Sequence, residues 1–230
     1  FKGYSFSGEA PPPEFTDDGE SVSMACMRWH TKTDLLEMLL PVLHFSKKLR
    51  GRLEVGTKVF EGSFEQDMDK FVPKDLTRRQ IFSKNGSIFD LLGKFIPVTN
   101  ALKLNLRDTV KLTTGWDDPV PEDLRYKWVH NFWRIEKLKG LKFQRARMPE
   151  NAVSSEMDLI TAVDASEELK VVATWGRFRL ANGKFSCQYL IGRSLLADDT
   201  IPRNELDALV MASNLSWIVR KALELSLIHI

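Results

Sequence analysis

The apolar residues of this chain change from helical to strand-type spacing after Gly140, and that change constrains the fold more than any other feature. From residue 77 to Gly140 they recur at helical spacing, which predicts three helices that begin after Thr77, at Pro97 and after Pro121. Asn85-Gly86 interrupts the first of them. The third helix has the clearest apolar stripe, which consists of Leu124, Trp128, Phe132, Ile135 and Leu138. We interpret this stripe as core packing.

Further along the chain, strand-type composition replaces the helical spacing. Segments 159–163, 169–180 and 184–191 are rich in β-branched and aromatic residues, and Asn182-Gly183 between the last two predicts a tight hairpin. Two earlier apolar segments, 22–29 and 35–42, predict another hairpin. The order of helices, strands and a final helix predicts an α+β fold.

The final helix is predicted to begin at Pro202, since proline suits the first turn of a helix. Its apolar side is predicted from residues that recur every three or four positions. These residues are Leu206, Leu209, Val210, Ser213 and Trp217.

Charge is nearly balanced over the 230 residues, with 33 basic and 31 acidic side chains and a net charge of +2. This balance excludes a histone-like electrostatic binder, and no apolar run is long enough to span a membrane. The average hides unlike parts, because the first 20 residues and the final third are acidic. The two cysteines, Cys26 and Cys187, are too few for a disulfide scaffold, and we interpret them as buried thiols.

The middle of the chain is the strongly basic part. Between Arg125 and Arg147 there are eight basic residues and one acid, Glu136, with five aromatic residues interleaved. Such a row can follow a nucleic-acid backbone without reading sequence, although a solvated helix face is the other interpretation. The candidate nucleic-acid-binding residues are Arg125, Lys127, Arg134, Lys137, Lys139, Lys142, Arg145 and Arg147, with a second patch at Lys47, Lys48, Arg50 and Arg52.

Four phrases in order resemble the pol polyproteins of BEL/Pao LTR retrotransposons, in the region named the Pao retrotransposon peptidase family. They are TRRQIFSKNGSIFDLLGKFIP at 77–97, GWDDPVPEDLRYKW at 115–128, Asp164-Ala165-Ser166 followed by TIPRNEL at 200–206, and, more weakly, ACMRW at 25–29. Three departures from the family pattern are Leu91 for a proline, Asn204 for a leucine, and Glu167-Glu168 where the family commonly has Ala-Tyr-Gly.

The resemblance implies a position between a reverse transcriptase and a ribonuclease H. Residues 1–21 would be a linker or loop, 22–75 the end of the reverse transcriptase palm, 76–150 a helical thumb and connection, and 151–224 a truncated ribonuclease H-like domain with its first strands and first helix. Residues 225–230, LSLIHI, resemble the translation of a sequencing adaptor. The implied partners are an RNA–DNA hybrid or another nucleic acid and the rest of the pol polyprotein, without a membrane, in a cytoplasmic virus-like particle or the nucleus.

By the same resemblance, the parent protein copies RNA into DNA and cleaves RNA in RNA–DNA hybrids with two metal ions. Asp164, after a strand, and Glu205, near the start of a helix, match the first two catalytic and metal-binding carboxylates, which would hold Mg²⁺ in the complete parent. A third carboxylate and the polymerase Tyr-x-Asp-Asp string are absent from this sequence, so we expect the chain itself to handle nucleic acid without catalysis.

Two alternatives remain at this point. One is a decayed or domesticated module that binds nucleic acid or protein, which the three departures favour. The other is an aspartic-type peptidase, for which the nearest string is Asp108-Thr109-Val110, without the glycine that such a loop requires. The histidines and cysteines are too scattered for a zinc site, and no phosphate-binding glycine loop is present.

Overall fold

The computed structural model describes residues 21–24, 26–46, 56–145, 148–154 and 156–227. The chain forms two compact units. Unit 1 comprises Phe1–Asp90 and Pro97–Phe143, and unit 2 comprises Leu91–Ile96 and Gln144–Ile230. Helices and antiparallel sheets occur together, so the predicted α+β class is confirmed.

The first sheet contains β1 (Ser21–Met24), β2 (Met27–His30), β3 (Leu35–Met38) and β4 (Lys142–Gln144), in that order. The predicted hairpin is present, since β2 and β3 pair antiparallel around the turn at residues 31–34. Segment 22–29, however, forms two strands instead of one. Cys26 lies in the tight turn between them with a φ of +64°, and its thiol is exposed, so its interpretation as a buried thiol is wrong.

Four helices follow: α1 (Glu65–Phe71), α2 (Arg78–Asn85), α3 (Ile96–Leu112) and α4 (Glu122–Leu138). The predicted cap of α2 is confirmed, because Thr77 Oγ1 accepts from the Gln80 backbone N–H while Gln80 Oε1 accepts from the Thr77 N–H at 2.9 Å. The helix ends at Asn85, before Gly86, as the interruption predicts.

The core of unit 1 forms around α4. Leu124, Trp128, Phe132 and Ile135 of the predicted stripe are all buried, which confirms core packing for them. Trp128 is fully buried and its indole N–H donates to Thr109 Oγ1 at 3.0 Å, so its polar atom is satisfied inside the core. Further buried members of this core are Leu43, Met68, Val72, Leu76, Ile81, Leu102, Val120 and Val129.

Arg125 joins α4 to the end of α1. Its guanidinium donates to the Asp69 carboxylate at 2.8 Å and to the backbone oxygens of Asp69 (2.8 Å), Val72 (2.9 Å) and Pro73 (2.9 Å). The last carbonyls of a helix have no intrahelical partner, and a cation at that end also favours the helix dipole. Arg125, which was predicted to bind nucleic acid, therefore instead donates hydrogen bonds to the carbonyl oxygens at the end of α1.

Unit 2 is built on a second sheet in the order β5 (Asp158–Ala165), β6 (Leu169–Arg179) and β7 (Phe185–Leu196), all antiparallel. The predicted hairpin between β6 and β7 is present. Gly183 has a φ of +77°, which a glycine adopts readily, and the Asn182 side chain accepts from the Lys184 N–H at 3.0 Å. Cys187 on β7 is exposed, so the prediction of a buried thiol is wrong here too.

Helix α5 (Ile201–Leu227) covers one face of this sheet. Its buried residues are Asn204, Ala208, Leu215 and Val219. The side predicted as apolar, which contains Leu206, Leu209, Val210 and Trp217, is exposed instead. The helix carries apolar residues on more than one side, and spacing alone does not show which side a sheet covers.

The segment Leu91–Ile96 packs against β7. The Gly192 N–H donates to the Leu92 oxygen at 3.0 Å, and the Tyr189 hydroxyl donates to the Gly93 oxygen at 2.7 Å. Gly93 has a φ of +67°, and a Cβ there would collide with the Gly192 backbone, so glycine is required at this position.

Replacement of Arg125 by alanine should destabilise unit 1 by about 3 kcal/mol, because it leaves the end of α1 without its donors. Arg125→Lys should rescue little of this, since a single ammonium cannot reproduce the forked contacts. Urea unfolding followed by far-UV circular dichroism measures the effect. Lys127→Ala, an exposed neighbour on the same helix, is the matched control and should leave the midpoint unchanged.

Candidate nucleic-acid interface and carboxylates

The exposed side of α4 carries a row of cations. Lys127, His130, Arg134 and Lys137 follow one another at spacings of three or four residues, which places them on one face of the helix. Their side chains are exposed, and the His130 ring contacts Glu65 of α1 through Nδ1. The lysine and arginine members of this row are Lys127, Arg134 and Lys137, and we name these three the α4 basic row.

Two aromatic side chains lie beside this row. Tyr126 is 60% exposed, and its ring is stacked with the His130 ring at 6.2 Å between centroids. The half-buried Trp133 ring lies under the Lys137 ammonium, with Nζ 4.3 Å from the ring centroid. Exposed aromatic rings next to cations are the side chains with which nucleic-acid-binding surfaces contact bases and phosphates.

The other candidates of the basic tract are placed differently. Arg125 is buried against α1, and Lys139 forms an ion pair with Glu136 at 2.6 Å. Lys142 is exposed on β4, and Arg145 is half-buried. Arg147 and the second patch, which consists of Lys47, Lys48, Arg50 and Arg52, lie outside the described residues. Among the described members of the tract, Arg125 is therefore the one whose burial against α1 withdraws it from a nucleic-acid surface.

Asp164 lies on the face of the second sheet that α5 does not cover. Its neighbour Ala165 pairs with Lys170 of β6, and Lys170 Nζ contacts the Asp207 carboxylate of α5 at 3.1 Å. Ala165 and Lys170 therefore face the helix. Because successive side chains of a strand alternate between faces, Asp164 points away from it. Thr161, three residues earlier, confirms this alternation, since its hydroxyl contacts Ser216 of α5 at 2.7 Å.

Glu205 is exposed near the start of α5. Asp164 thus lies on the uncovered face of the sheet, whereas Glu205 belongs to the helix that covers the other face. Within the described ranges, no group of three or more His, Cys, Asp and Glu side chains is arranged to hold a metal ion. The catalytic and metal-binding roles of the pair stay a prediction from the resemblance.

The surroundings of Glu205 are acidic. An open groove of about 640 Å³ at the start of α5 is lined by Glu167, Asp198, Asp199, Thr200, Ile201 and Pro202. Asn204, next to Glu205, is fully buried and donates to the Asp199 backbone oxygen at 2.7 Å. Three acids in one groove repel phosphates, so the described candidate for nucleic-acid contact is the α4 basic row instead.

Lys170 lies beside this groove and forms an ion pair with Asp198, one of the acids that line it. A hydrogen bond to Asp198 at 2.7 Å, and a second to Asp207, raise the pKa of the Lys170 ammonium above its ordinary value. The bond from Lys170 lowers the pKa of the Asp198 carboxyl. The ion pair connects β6 to the segment that precedes α5 and to α5 itself.

The string proposed for the peptidase alternative lies in a helix and not in a loop. Asp108-Thr109-Val110 lies within α3, where Thr109 is buried and its hydroxyl donates to the Asn105 backbone oxygen at 2.7 Å. An aspartic peptidase presents its carboxylates as a close pair that shares a proton. Asp108 instead contacts Arg107, at 3.8 Å.

Comparison with known proteins gives one family match. Residues 77–230 match the family model described as the Pao retrotransposon-like RNaseH-like domain, which is two thirds of the chain. No curated protein and no solved structure matches this chain. Among the described helices, none is long and apolar enough to cross a membrane.

Asp198→Asn should lower the thermal unfolding midpoint near neutral pH and change it little in acid. A carboxyl with a depressed folded pKa stabilises above its unfolded pKa of about 4, and this stabilisation is lost as the pH falls through the folded value. The raised pKa of Lys170 also stabilises the folded state near neutral pH, but this stabilisation has the opposite pH dependence and is lost only as the pH rises above about 10. Melting curves between about pH 3 and about pH 8 measure the effect.

Glu167→Gln, in the same groove, is the control for this prediction. If Asp198→Asn still lowered the unfolding midpoint at the acid end of the range, the result would contradict the ion pair between Asp198 and Lys170.

Proposed function

Because this chain belongs to the Pao retrotransposon-like RNaseH-like domain family, we propose that it handles nucleic acid as part of a retrotransposon pol polyprotein, along the exposed face of α4. The family confirms the BEL/Pao resemblance of the sequence motifs. It supports a nucleic-acid-related role, and the α4 basic row supplies the surface.

The observation that carries the proposal is the placement of three exposed cations on one helix face with aromatic rings beside them. From Lys127 to Lys137 the helix rises about 15 Å, a length over which one strand of a duplex presents several phosphates. Lys127, Arg134 and Lys137 can therefore contact phosphates of a single backbone. Such contacts hold a duplex without reading its sequence.

The substrate class that we propose is an RNA–DNA hybrid. Reverse transcription makes this duplex, and the ribonuclease H of the parent protein would cleave its RNA strand. For this chain we propose that it binds the hybrid without cleaving it, and the orientation of Asp164 away from the helix that carries Glu205 supports this. Reverse transcription and cleavage then belong to the complete polyprotein.

Binding of a labelled RNA–DNA hybrid should weaken steeply with salt. The logarithm of the association constant should fall linearly with the logarithm of the salt concentration, since cations that neutralise phosphates release bound counterions. Combined replacement of Lys127, Arg134 and Lys137 by alanine should reduce that slope by about two to three, at about 0.9 for each lost phosphate contact. Fluorescence anisotropy across a salt series measures both quantities.

A charge-matched control separates this surface from net charge alone. Lys58, Lys111 and Lys184 are exposed and lie outside α4, so their combined replacement by alanine removes the same charge. This control should keep the wild-type slope. Equal losses in the two triple variants would show that only net charge matters, and an affinity that does not depend on salt would refute the phosphate contacts.

The same hybrid tests whether the chain binds the duplex without cleaving its RNA strand. With Mg²⁺ present, the chain should leave the RNA strand intact, and Asp164→Asn should bind the hybrid as the wild type does. The measurement is denaturing gel electrophoresis of end-labelled RNA. Cleavage that requires Mg²⁺ and disappears in Asp164→Asn would overturn this part of the proposal and restore the metal role of that residue.

A further inference from the structure

The outward side of α5 exposes a row of large apolar residues. Leu206, Leu209, Val210 and Trp217 are each 55% to 62% exposed, although the opposite side of the same helix is buried on the sheet. Ser213 lies between them and is exposed as well. We name these five residues the α5 outer stripe.

The stripe is continuous along the helix. Its members recur every three or four residues, so they share one helix face, and the row extends about 16 Å from Leu206 to Trp217. Single exposed apolar residues are ordinary, but contiguous apolar patches of this kind mark surfaces that other molecules cover. The bulky residues lie toward both ends and the small Ser213 in the middle, so a second helix can cross closely there.

Charges beside the stripe show which orientation a second helix would take. Glu205 and Asp207 lie at the beginning of the stripe, whereas Arg220 and Lys221 lie just after its end, and all four side chains are exposed. A second copy of α5 in parallel would bring like charges together. An antiparallel copy would bring acids of one helix to cations of the other, which is favourable.

Helical geometry supports the antiparallel arrangement in more detail. At 100° per residue, Glu205 and Arg220 lie on one flank of the stripe, and Asp207 and Lys221 lie on the other. A two-fold axis near Ser213 keeps each flank on its own side and reverses the direction of the helix. Glu205 then meets the second Arg220, and each Trp217 meets the second Leu209.

We propose that the α5 outer stripe is a self-association surface, on which two copies of this chain pair through antiparallel α5 helices. The pairing buries the exposed apolar row and sets Glu205 of each copy against Arg220 of the other. It goes beyond nucleic-acid handling and uses none of the residues of the α4 basic row, so its outcome is independent of hybrid binding.

Sedimentation equilibrium of the whole chain without nucleic acid tests the pairing. We expect a monomer–dimer equilibrium in the micromolar range. Trp217→Glu and Leu209→Glu should each raise the dissociation constant by about tenfold or more, because each places a charge in the buried row. Val153→Glu is the control, since Val153 is an equally exposed apolar residue of unit 2 outside α5. Far-UV circular dichroism checks that every variant is folded.

Charge exchange tests the antiparallel orientation. Glu205→Arg alone and Arg220→Glu alone should each weaken pairing, because each sets like charges against one another across the two-fold axis. An equimolar mixture of the two variants should pair as tightly as the wild type, since every contact between the flanks is again of opposite sign.

Each outcome of these two experiments either supports the proposed pairing or overturns a stated part of it. A chain that stays monomeric at about 100 μM, or a dimer that Trp217→Glu and Leu209→Glu leave intact, overturns the proposal. A mixture of the charge variants that pairs no better than either variant alone overturns the antiparallel orientation. Dimerisation that follows the expected pattern in all variants supports the proposal, whether or not the chain binds a hybrid.

Discussion

The contact of Arg125 with the end of α1 is the interaction on which the packing of unit 1 depends. One guanidinium satisfies three backbone oxygens and the Asp69 carboxylate, and it sits on the same helix that supplies Trp128 and Phe132 to the core. This contact sets α4 against α1 with one side inward. The opposite side, with the α4 basic row, is exposed as a consequence, so one basic tract contains both a structural cation and the candidate interface.

Unit 2 follows a different constraint. Helix α5 has apolar residues on two sides, and the sheet can cover only one of them. The buried side includes Asn204, whose amide donates to the Asp199 backbone oxygen, and Thr161 and Lys170 of the sheet contact α5 through polar atoms. These polar contacts fix which side faces the sheet. The outer stripe remains exposed as a result, and it offers a surface of its own.

The sequence predicted elements better than it predicted a site. The cap at Thr77, the stripe of α4 and the hairpin at Asn182-Gly183 depend on local spacing and turn chemistry, and all are present. The pairing of Asp164 with Glu205 depends instead on strand register and on which sheet face α5 covers, neither of which is local. Gly93 shows the same limit, since its family phrase was visible while its contact with β7, almost a hundred residues later, was not.

By itself, the sequence determined the α+β class, the family and most of the helices and strands, because period, caps and turns act over a few neighbouring residues. Only the tertiary structure decided which side chains are buried in packing contacts and which are exposed. The Arg125 side chain points inward because the carbonyls at the end of α1 require donors. The Asp164 side chain points away from α5, because its neighbour Ala165 faces that helix and successive side chains of a strand alternate between faces. Exposure is a property of the assembled fold, which spacing along the chain does not contain.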